Sequence, residues 1–479
     1  MNSSLLFLKS ALSDKNSLAS TQAIIDWVKK QNQSTTVEIQ KIAFEKLKLW
    51  GFDEKLGTLR HHSGNFFSID GIRISTNWGP INSWEQPIIN QPEIGYLGFI
   101  TKEFNGVLHF LMQAKIEPGN VNYVQLSPTL QATKSNYSRA HGGKAPSYLE
   151  FFLNVNPDKV LLDQLQSEQG ARFLKKRNRN IIIKVDEDIP VLDNFCWLTL
   201  GQIKSLMKYD NLVNMDTRTV ISGISYGTYE NQVIDLMSFI HREQSPENIE
   251  SKVLKSLLSN QDSLHSFDNI VSFVTRQKSF YELTVDKIAL NQVSGWEITP
   301  YDIVHKERKY FKVIAVEVAI GNREVVSWTQ PMIEPMQEGL CAFVCKEING
   351  TLHFAVQAKL ECGNFDIIEF APTVQCLTGN YKDTHPSSLP FLEYVLNASS
   401  EHIVIDALQS EEGGRFFKEQ NRNMIVHAGE EIPIELPSNY IWMTLNQLHT
   451  FIKFNNYINI QARSLIAALA FKKETLKDA

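Results

Sequence analysis

The chain has 479 residues, of which 43% are hydrophobic and 21% charged, enough apolar sequence for roughly two to four folded domains. Its formal net charge of −6 gives no broad positive field, so nonspecific binding to nucleic acid or to an anionic membrane surface is disfavoured. No apolar run approaches the roughly 20 residues that cross a bilayer, and the first residues lack the basic segment of a secretory signal, so we expect a cytoplasmic protein.

The N-terminal part of the chain is predicted to be helical. Residues Leu18 to Lys30 carry apolar side chains at helical spacing. Thr35 is followed three residues later by Glu38, the pattern of a capping box, which predicts a second helix from Val37 to Leu49.

Segments of β character follow in both halves of the chain. In each half an Asn-Gly pair separates two such segments, and this pair is a strong short-range signal of a β-hairpin. The predicted strands lie at 65–75, 94–101, 310–320 and 340–346, with turns at Asn105-Gly106 and Asn349-Gly350.

One long stretch occurs twice in the chain. HFLMQAKIEPGNVNYVQLSPTLQATKSNYSRAH begins at His109, and HFAVQAKLECGNFDIIEFAPTVQCLTGNYKDTH begins at His353. Because 353 minus 109 and 385 minus 141 both give 244, the two copies align without a gap. The repeat is far longer than those of solenoid proteins, so it indicates duplicated domains.

A second block repeats further along the chain. Val160 to Pro190 matches Ile403 to Pro433 at an offset of 243, and each copy is predicted to form a strand, a short helix and a second strand. The sequence therefore predicts an α+β protein of two homologous halves, 1–243 and 244–479, each a mixed sheet with flanking helices.

Four of the five cysteines lie in the second half, which suggests a metal cluster. The corresponding first-half positions argue against it, because Leu97, Thr101, Pro118 and Ala132 stand there. We expect no metal site and reduced, mostly buried thiols.

The stretch from Leu108 to Lys115 is predicted to be a β-strand. Because side chains alternate between the two faces of a strand, His109, Gln113 and Lys115 lie on one face. This could be a solvated sheet face, but the turn that follows adds Glu117 and Asn120 close to the lysine. A lysine beside a carboxylate is a common acid/base pair and also a common salt bridge. The second copy keeps the same residue types at Gln357, Lys359, Glu361 and Asn364.

The two copies stay aligned through Thr129 and Gln131 and diverge after Tyr137. Asn136-Tyr137 is matched by a second Asn-Tyr pair that ends at Tyr381. Only the first copy has the whole segment with Arg139, His141 and two following glycines, since the second copy reads Lys382-Asp383-Thr384-His385-Pro386 at these positions. The divergence favours the first half as the active one.

Basic residues cluster around the predicted short helix. Arg172, Arg177 and Arg179 could bind a diphosphate, since arginine suits bidentate contacts, or could lie on a solvated helix face. Arg415 and Arg422 occupy the corresponding places in the second half.

Four strings carry a family resemblance that covers nearly the whole chain: QAKIEPGN, SPTLQATKSNYSRAHGG, LQSEQGARFLKKRNRN and NMDTRTVIS. With these strings the chain resembles the NDP-hexose 2,3-dehydratases of deoxysugar biosynthesis. The resemblance implies duplicated Nudix-hydrolase-like domains and a dTDP-linked 4-keto-6-deoxyglucose substrate that loses its 2-hydroxyl group. It also implies a homodimer, no nicotinamide or PLP cofactor, and a 3-ketoreductase that acts downstream.

The chain differs from Nudix hydrolases at the segment that corresponds to the Nudix box. Where a Nudix box binds Mg²⁺ through several glutamates, this chain has Gln164 to Gly170 and Ala407 to Gly413, in which most of the carboxylates are missing. Hard cations need several oxygen ligands, so metal-dependent hydrolysis of a nucleotide sugar is disfavoured. The other alternative is a nucleotide-sugar-binding protein without catalysis.

The dehydratase chemistry fits residues of the repeated stretch, because a base, an oxyanion donor and an acid suffice for the elimination. The hypothesis assigns catalysis to Lys115, Glu117, Tyr137 and His141, without deciding which is the base. The residues expected to bind the substrate are His109, Gln113, Asn120, Thr129, Gln131, Asn136, Arg139, Arg172, Arg177 and Arg179. A weaker or vestigial second site is expected at Gln357, Lys359, Glu361, Asn364, Tyr381, Arg415 and Arg422.

Overall fold

The computed structural model describes residues 3–13, 18–137, 145–230, 248–321, 327–381 and 389–471. Its helices are α1 (Ser3–Ala11), α2 (Thr21–Gln33), α3 (Lys134–Tyr137), α4 (Glu150–Leu153), α5 (Leu200–Leu206), α6 (Met215–Ser222), α7 (Ile249–Leu258), α8 (Phe267–Phe280), α9 (Leu392–Leu396), α10 (Leu445–Ile452) and α11 (Ile460–Ala468). Among the described residues, no helix is both long enough and apolar enough to cross a membrane.

The first half forms a large sheet in the order β10–β11–β6–β7–β12, with β8 beside β7 and β9 beside β6. Among the described strand pairs of this sheet, only β6–β11 is parallel. The strands of this sheet are β6 (Gly95–Phe104), β7 (Val107–Ile116), β8 (Val124–Ser127), β9 (Leu130–Ala132), β10 (Val160–Ser167), β11 (Arg177–Lys184) and β12 (Phe195–Thr199).

The second half repeats this sheet in the order β22–β23–β18–β19–β24, with β20 beside β19 and β21 beside β18. Its strands are β18 (Gly339–Ile348), β19 (Thr351–Leu360), β20 (Ile368–Ala371), β21 (Val374–Leu377), β22 (Ile403–Ser410), β23 (Gln420–Ala428) and β24 (Tyr440–Thr444). The two halves are therefore similar, sheet-rich α+β units, as a tandem duplication predicts.

Two smaller sheets exchange strands between the halves. One has the order β13–β4–β3–β2 with β5 beside β4, and the other has β1–β16–β15–β14 with β17 beside β16. Their strands are β1 (Val37–Ile42), β2 (Trp50–Asp53), β3 (Thr58–His61), β4 (Ser68–Thr76), β5 (Ser83–Asn90), β13 (Leu283–Ile288), β14 (Trp296–Ile298), β15 (Asp302–His305), β16 (Phe311–Ile320) and β17 (Ser327–Pro335). Each half thus gives one strand to a sheet of the other half.

The helix predicted from Val37 to Leu49 is wrong. The segment forms β1, which pairs with β16 from Val37↔Ile320 onward, and then a 3₁₀ turn at Phe44–Lys46. Its sequence VEIQKI alternates apolar and polar residues, and the burial of the strand alternates at its start in the same way. The pairing partner is nearly 280 residues away, so no local signal identifies it.

The short helix predicted between β10 and β11 is also wrong. The backbone there pairs with β5 instead, because Ile89 donates to the carbonyl of Arg172 at 2.9 Å and Leu174 donates to that of Ile89 at 2.8 Å. In the second half, Ile333 exchanges the corresponding bonds with Arg415 and Phe417. Main-chain groups bound to another strand cannot form helical hydrogen bonds.

Other predictions are confirmed. Helix α2 covers most of the predicted segment, and Ser20 caps its first turn. Asn105 and Asn349 have φ of 51° and 54°, and each following glycine is also left-handed, as the predicted hairpin turns require. All five cysteines are free thiols, of which Cys341, Cys345 and Cys362 are buried.

Candidate active site between the halves

A cavity of about 1060 Å³ lies on the first copy of the repeated stretch, slightly above the usual range for small-molecule sites. Strand β7 contributes Gln113 and Lys115, and the turn after it contributes Glu117. The second half completes the wall with 327–330 of β17 and with Glu412, Gly414 and Arg415. One half alone would leave the cavity open.

Lys115 and Glu117 form the centre of a hydrogen-bonded network. The Lys115 Nζ lies 3.8 Å from Glu117 Oε1 and donates to the carbonyl of Gln131 at 3.3 Å. Gln131 Nε2 donates to Glu117 Oε1 at 2.7 Å, and Asn214 Nδ2 donates to Gln131 Oε1 at 3.1 Å. Since Glu117 is only 4% exposed, the network fixes a carboxylate and an ammonium group at the cavity wall.

The second half builds the same network. Lys359 Nζ donates to the carbonyl of Gln375 at 3.4 Å, and Gln375 Nε2 donates to Glu361 Oε1 at 2.8 Å. Asn459 Nδ2 donates to Gln375 Oε1 at 2.7 Å. Burial raises the pKa of Glu361. The scaffold of the site was therefore duplicated with the sheets.

Glycines at the boundary let the two halves approach each other. Gly119 donates its N–H to the carbonyl of Gly413 at 2.7 Å, and Gly363 donates to that of Gly170 at 2.6 Å. A Cβ on Gly119 would lie 1.6 Å from the carbonyl oxygen of Phe416, so only glycine fits there. Each turn after Glu117 or Glu361 consequently packs against a loop of the opposite half.

Four further charged side chains line the cavity: Glu168, Lys176 and Asp216, which are buried, and Glu412, which is partly exposed. Burial, partly offset by Arg415, raises the pKa of Glu412 to about 7, and burial lowers the pKa of Lys176 to about 8. Burial and then the nearby carboxylates, Glu412 foremost, raise the pKa of Asp216 well above its ordinary value. Glu412 and Lys176 can therefore exchange protons near neutral pH.

The arginines are distributed differently from the prediction. Arg172 lies over the Phe311 ring of the second half at 4.3 Å, and Arg415 lies over the Phe67 ring of the first half at 4.3 Å. Arg415, which the sequence assigned to the second site, thus lines the first-half cavity, whereas Arg172 does not. Each arginine contacts the opposite half because the loop that carries it crosses between the halves.

The other predicted arginines also lie outside the cavity wall. Arg179 makes a bidentate pair with Asp163, at 2.8 and 2.6 Å, and Arg422 makes the same pair with Asp406. Arg177 lies over the Phe365 ring at 4.7 Å. We therefore withdraw Arg172, Arg177 and Arg179 as diphosphate ligands of this cavity.

Some predicted binding residues support the cavity without lining it. Buried His109 bonds through Nδ1 to the carbonyl of Val107 at 2.8 Å, and burial lowers its pKa. Asn120 Nδ2 donates to the carbonyl of Tyr123 at 3.1 Å. Thr129 does line the cavity, but its hydroxyl also bridges two strands, donating to the Leu111 carbonyl at 2.5 Å and accepting from the Ile100 N–H at 2.9 Å.

Four predicted residues lie at or beyond the edge of the described structure. Asn136 and Tyr137 belong to the short helix α3, while Arg139 and His141 lie outside the described residues. In the second half, Tyr381 ends a 3₁₀ turn, and Gln357 and Asn364 are buried. Their proposed roles stay predictions.

Several cavity residues are absent from the predicted site: Trp50, Phe67, Trp328, Glu168, Lys176, Asp216 and Glu412. Three of them differ in charge between the two copies, which is a signal that the sequence carries. Asp216 corresponds to Gln461, Glu412 to Gln169 and Lys176 to Glu419, so charge differs between the copies at these places. The aromatic residues carry no comparable signal, because Trp84 and Phe311 match Trp328 and Phe67.

Comparison with known proteins agrees with this architecture. The family model described as NDP-hexose 2,3-dehydratase matches residues 21–224 and again residues 267–469. The dTDP-4-dehydro-6-deoxy-alpha-D-glucopyranose 2,3-dehydratase of Saccharopolyspora spinosa is 45% identical over 469 residues, covering 98% of this chain and 95% of the relative. Proteins of the same name from Amycolatopsis orientalis and Streptomyces violaceoruber are each 40% identical, over 94% and 92% of this chain and 90% and 95% of the relatives. The chain therefore belongs to the NDP-hexose 2,3-dehydratase family.

Proposed function

We propose that this protein is a hydro-lyase that removes the C2 hydroxyl group of dTDP-4-keto-6-deoxyglucose, the 4-dehydro sugar named for its relatives. The observation that carries the proposal is the cavity between the halves, in which a partly buried lysine and a buried carboxylate are fixed side by side. The C4 ketone makes the C3 hydrogen acidic, so a positioned base and an oxyanion donor can start the elimination without a redox step.

Within the predicted catalytic set we assign the base to Glu117 and the oxyanion donor to Lys115. Glu117 is held by Gln131 at 2.7 Å and cannot rotate freely, which suits removal of a proton from one carbon. The Lys115 ammonium, 3.8 Å away, can donate to the C4 oxygen as negative charge develops there. Tyr137 and His141 stay in the catalytic set as sequence predictions.

The nucleotide end of the substrate would extend toward the second-half wall. Arg415 of that wall and Lys176 of the first half both line the cavity and replace the withdrawn arginines as diphosphate ligands. Trp50 and Trp328 also line the cavity and offer flat surfaces for a pyrimidine base. Gln113 and Gln131 are the remaining predicted sugar contacts in the wall.

Several finer proposals accompany this function. We propose that the halves divide at 1–243 and 244–479, that each is a Nudix-like unit, and that the second-half network is a vestigial site. We further propose a cytoplasmic homodimer that works without nicotinamide or PLP. Its product is an enol that rearranges to a reactive 3,4-diketone, so a 3-ketoreductase is the expected next enzyme.

The decisive experiment is incubation of the protein with dTDP-4-keto-6-deoxyglucose, coupled to a 3-ketoreductase that traps the product. Mass analysis should show the loss of one water molecule followed by reduction. Tight binding of the intact sugar without that loss would favour the non-catalytic binding protein. Release of a nucleoside monophosphate stimulated by Mg²⁺ would favour the hydrolase instead.

A further inference from the structure

The two networks share one scaffold, but the helices that follow their capping asparagines differ in charge at one position. Asn214 and Asn459 cap α6 and α11 and bind the corresponding glutamines, Gln131 and Gln375. Two residues after each cap, α6 carries Asp216 and α11 carries Gln461. The carboxyl group is therefore present only in the half whose network lines the large cavity.

Asp216 lies at the cavity wall and is 3% exposed. Three carboxyl groups of other elements line the same cavity and interact with it electrostatically: Glu117 of the turn after β7, Glu168 of the loop after β10, and Glu412 of the second half. Lys115 of β7 opposes them, and Arg218 is the cation on α6 itself. Burial among carboxylates favours the neutral acid, so this group keeps its proton where an exposed aspartate would lose it.

We infer that Asp216 is the general acid that protonates the C2 hydroxyl group as it leaves, an assignment that rests on the proposed dehydratase function. In the first step Glu117 takes the C3 proton, and the C3–H electron pair forms an enolate between C3 and C4. In the second step that pair forms the C2–C3 double bond while the C2–O bond breaks. The Asp216 proton joins the departing oxygen, so one water molecule leaves.

The reaction needs no proton from outside the site and leaves none behind. After the step Asp216 is a carboxylate and Glu117 is a carboxylic acid, and a proton passed between them restores the starting state. Asp216 and Glu117 line the same cavity and interact electrostatically, so the proton can pass between them through the cavity. No oxidant, reductant or further reactant is required.

The acid can be tested separately from the base by partial reactions in D₂O. Asp216→Asn cannot donate a proton, yet Glu117 should still form the enolate and return deuterium to C3. We expect the elimination kcat to fall by about 10²-fold or more while the KM changes by less than about threefold. Substrate recovered from the variant should nevertheless carry deuterium at C3.

A second variant distinguishes the loss of the acid from misfolding of the protein. Asp216→Gln introduces the residue that α11 carries at the corresponding position, so the helix should accept it. Gln461→Asn is the matched control in the second half and should leave elimination unchanged. Circular dichroism and thermal unfolding would verify that all three variants fold.

The outcomes separate this inference from the proposed function. If folded Asp216→Asn or Asp216→Gln protein keeps more than about a tenth of the elimination rate, Asp216 is not the acid. Loss of C3 exchange together with elimination would also overturn the inference, because it would assign Asp216 to the first step. If the wild-type protein itself removes no water from the sugar, the proposed function fails, and this inference fails with it.

Discussion

Arg415 of the second half lies over the Phe67 ring of the first half, with 4.3 Å between the guanidinium carbon and the ring centroid. Arg172 and Phe311 repeat the arrangement in the opposite direction, also at 4.3 Å. Each half therefore supplies an arginine to the neighbourhood of the other half's network. Only the Arg415 side belongs to the large cavity, which makes the two arginines a natural matched pair for mutation.

The first prediction concerns nucleotide binding. Arg415→Lys keeps the charge but loses the planar fork that suits a diphosphate, so we expect KM to rise by about tenfold, roughly 1.4 kcal/mol, with a smaller effect on kcat. Arg172→Lys is the control, since it changes the same kind of contact on the vestigial side. Steady-state kinetics of both variants would check this. Equal effects on KM would contradict the assignment of the cavity to the Arg415 side.

The second prediction concerns the exchanged strands. Cutting the chain after residue 243 separates β1 from β16 and β4 from β13, so each fragment exposes an unpaired strand edge. We expect fragment 1–243 to aggregate when expressed alone and to form an active complex when coexpressed with fragment 244–479. Size-exclusion chromatography and the elimination assay would measure this, with the intact chain as control. A folded, active 1–243 fragment would contradict it.

The features that could be predicted from the sequence are those that repeat between the two copies or that depend on residues close together in the chain. The duplication, the hairpin turns and the polar face with Lys115 follow from alternation and from matched positions, and the structure agrees on each. The partner of β1 lies in the other half, so its alternating residues could not be distinguished from a capped helix. Similarly, matching Arg172 with Arg415 establishes equivalence but not the half that each arginine faces, because that depends on loops crossing at Gly119 and Gly413.

The third prediction uses another difference between the copies. Ser167 Oγ donates to Glu369 Oε2 at 2.8 Å, whereas the equivalent Ser410 donates to the amide oxygen of Gln125 at 2.7 Å. Burial raises the pKa of Glu369 from 4.5 to about 7, against the weaker opposite effects of Ser167 and Arg463. The folded protein therefore holds a proton between these pH values that the unfolded chain has released.

It follows that this group's contribution to the free energy of unfolding is full below pH 4.5 and declines until about pH 7. Glu369→Gln should remove that decline and stabilise the protein at pH 8 by up to about 3 kcal/mol. Gln125→Glu should create the same decline of the free energy of unfolding with rising pH, now caused by a group of the first half. Urea unfolding at pH 5 and pH 8 would test both variants. A wild-type pH dependence that survives Glu369→Gln would refute the explanation.

The last prediction decides which network is catalytic. Lys115 and Lys359 share a local contact, since each donates to a glutamine carbonyl and lies two residues before a buried glutamate, and Lys115 also lies 3.8 Å from its glutamate. Removing the ammonium that stabilises the enolate should cost about 10²-fold or more in kcat, so Lys115→Ala should lose elimination and also C3 exchange in D₂O. Lys359→Ala should remain within about threefold of the wild type, because a group remote from the substrate contributes nothing to the transition state. Elimination and exchange would be measured for both variants at saturating substrate. Loss of activity only in Lys359→Ala would move the active site to the second half and contradict the assignment made from the cavity.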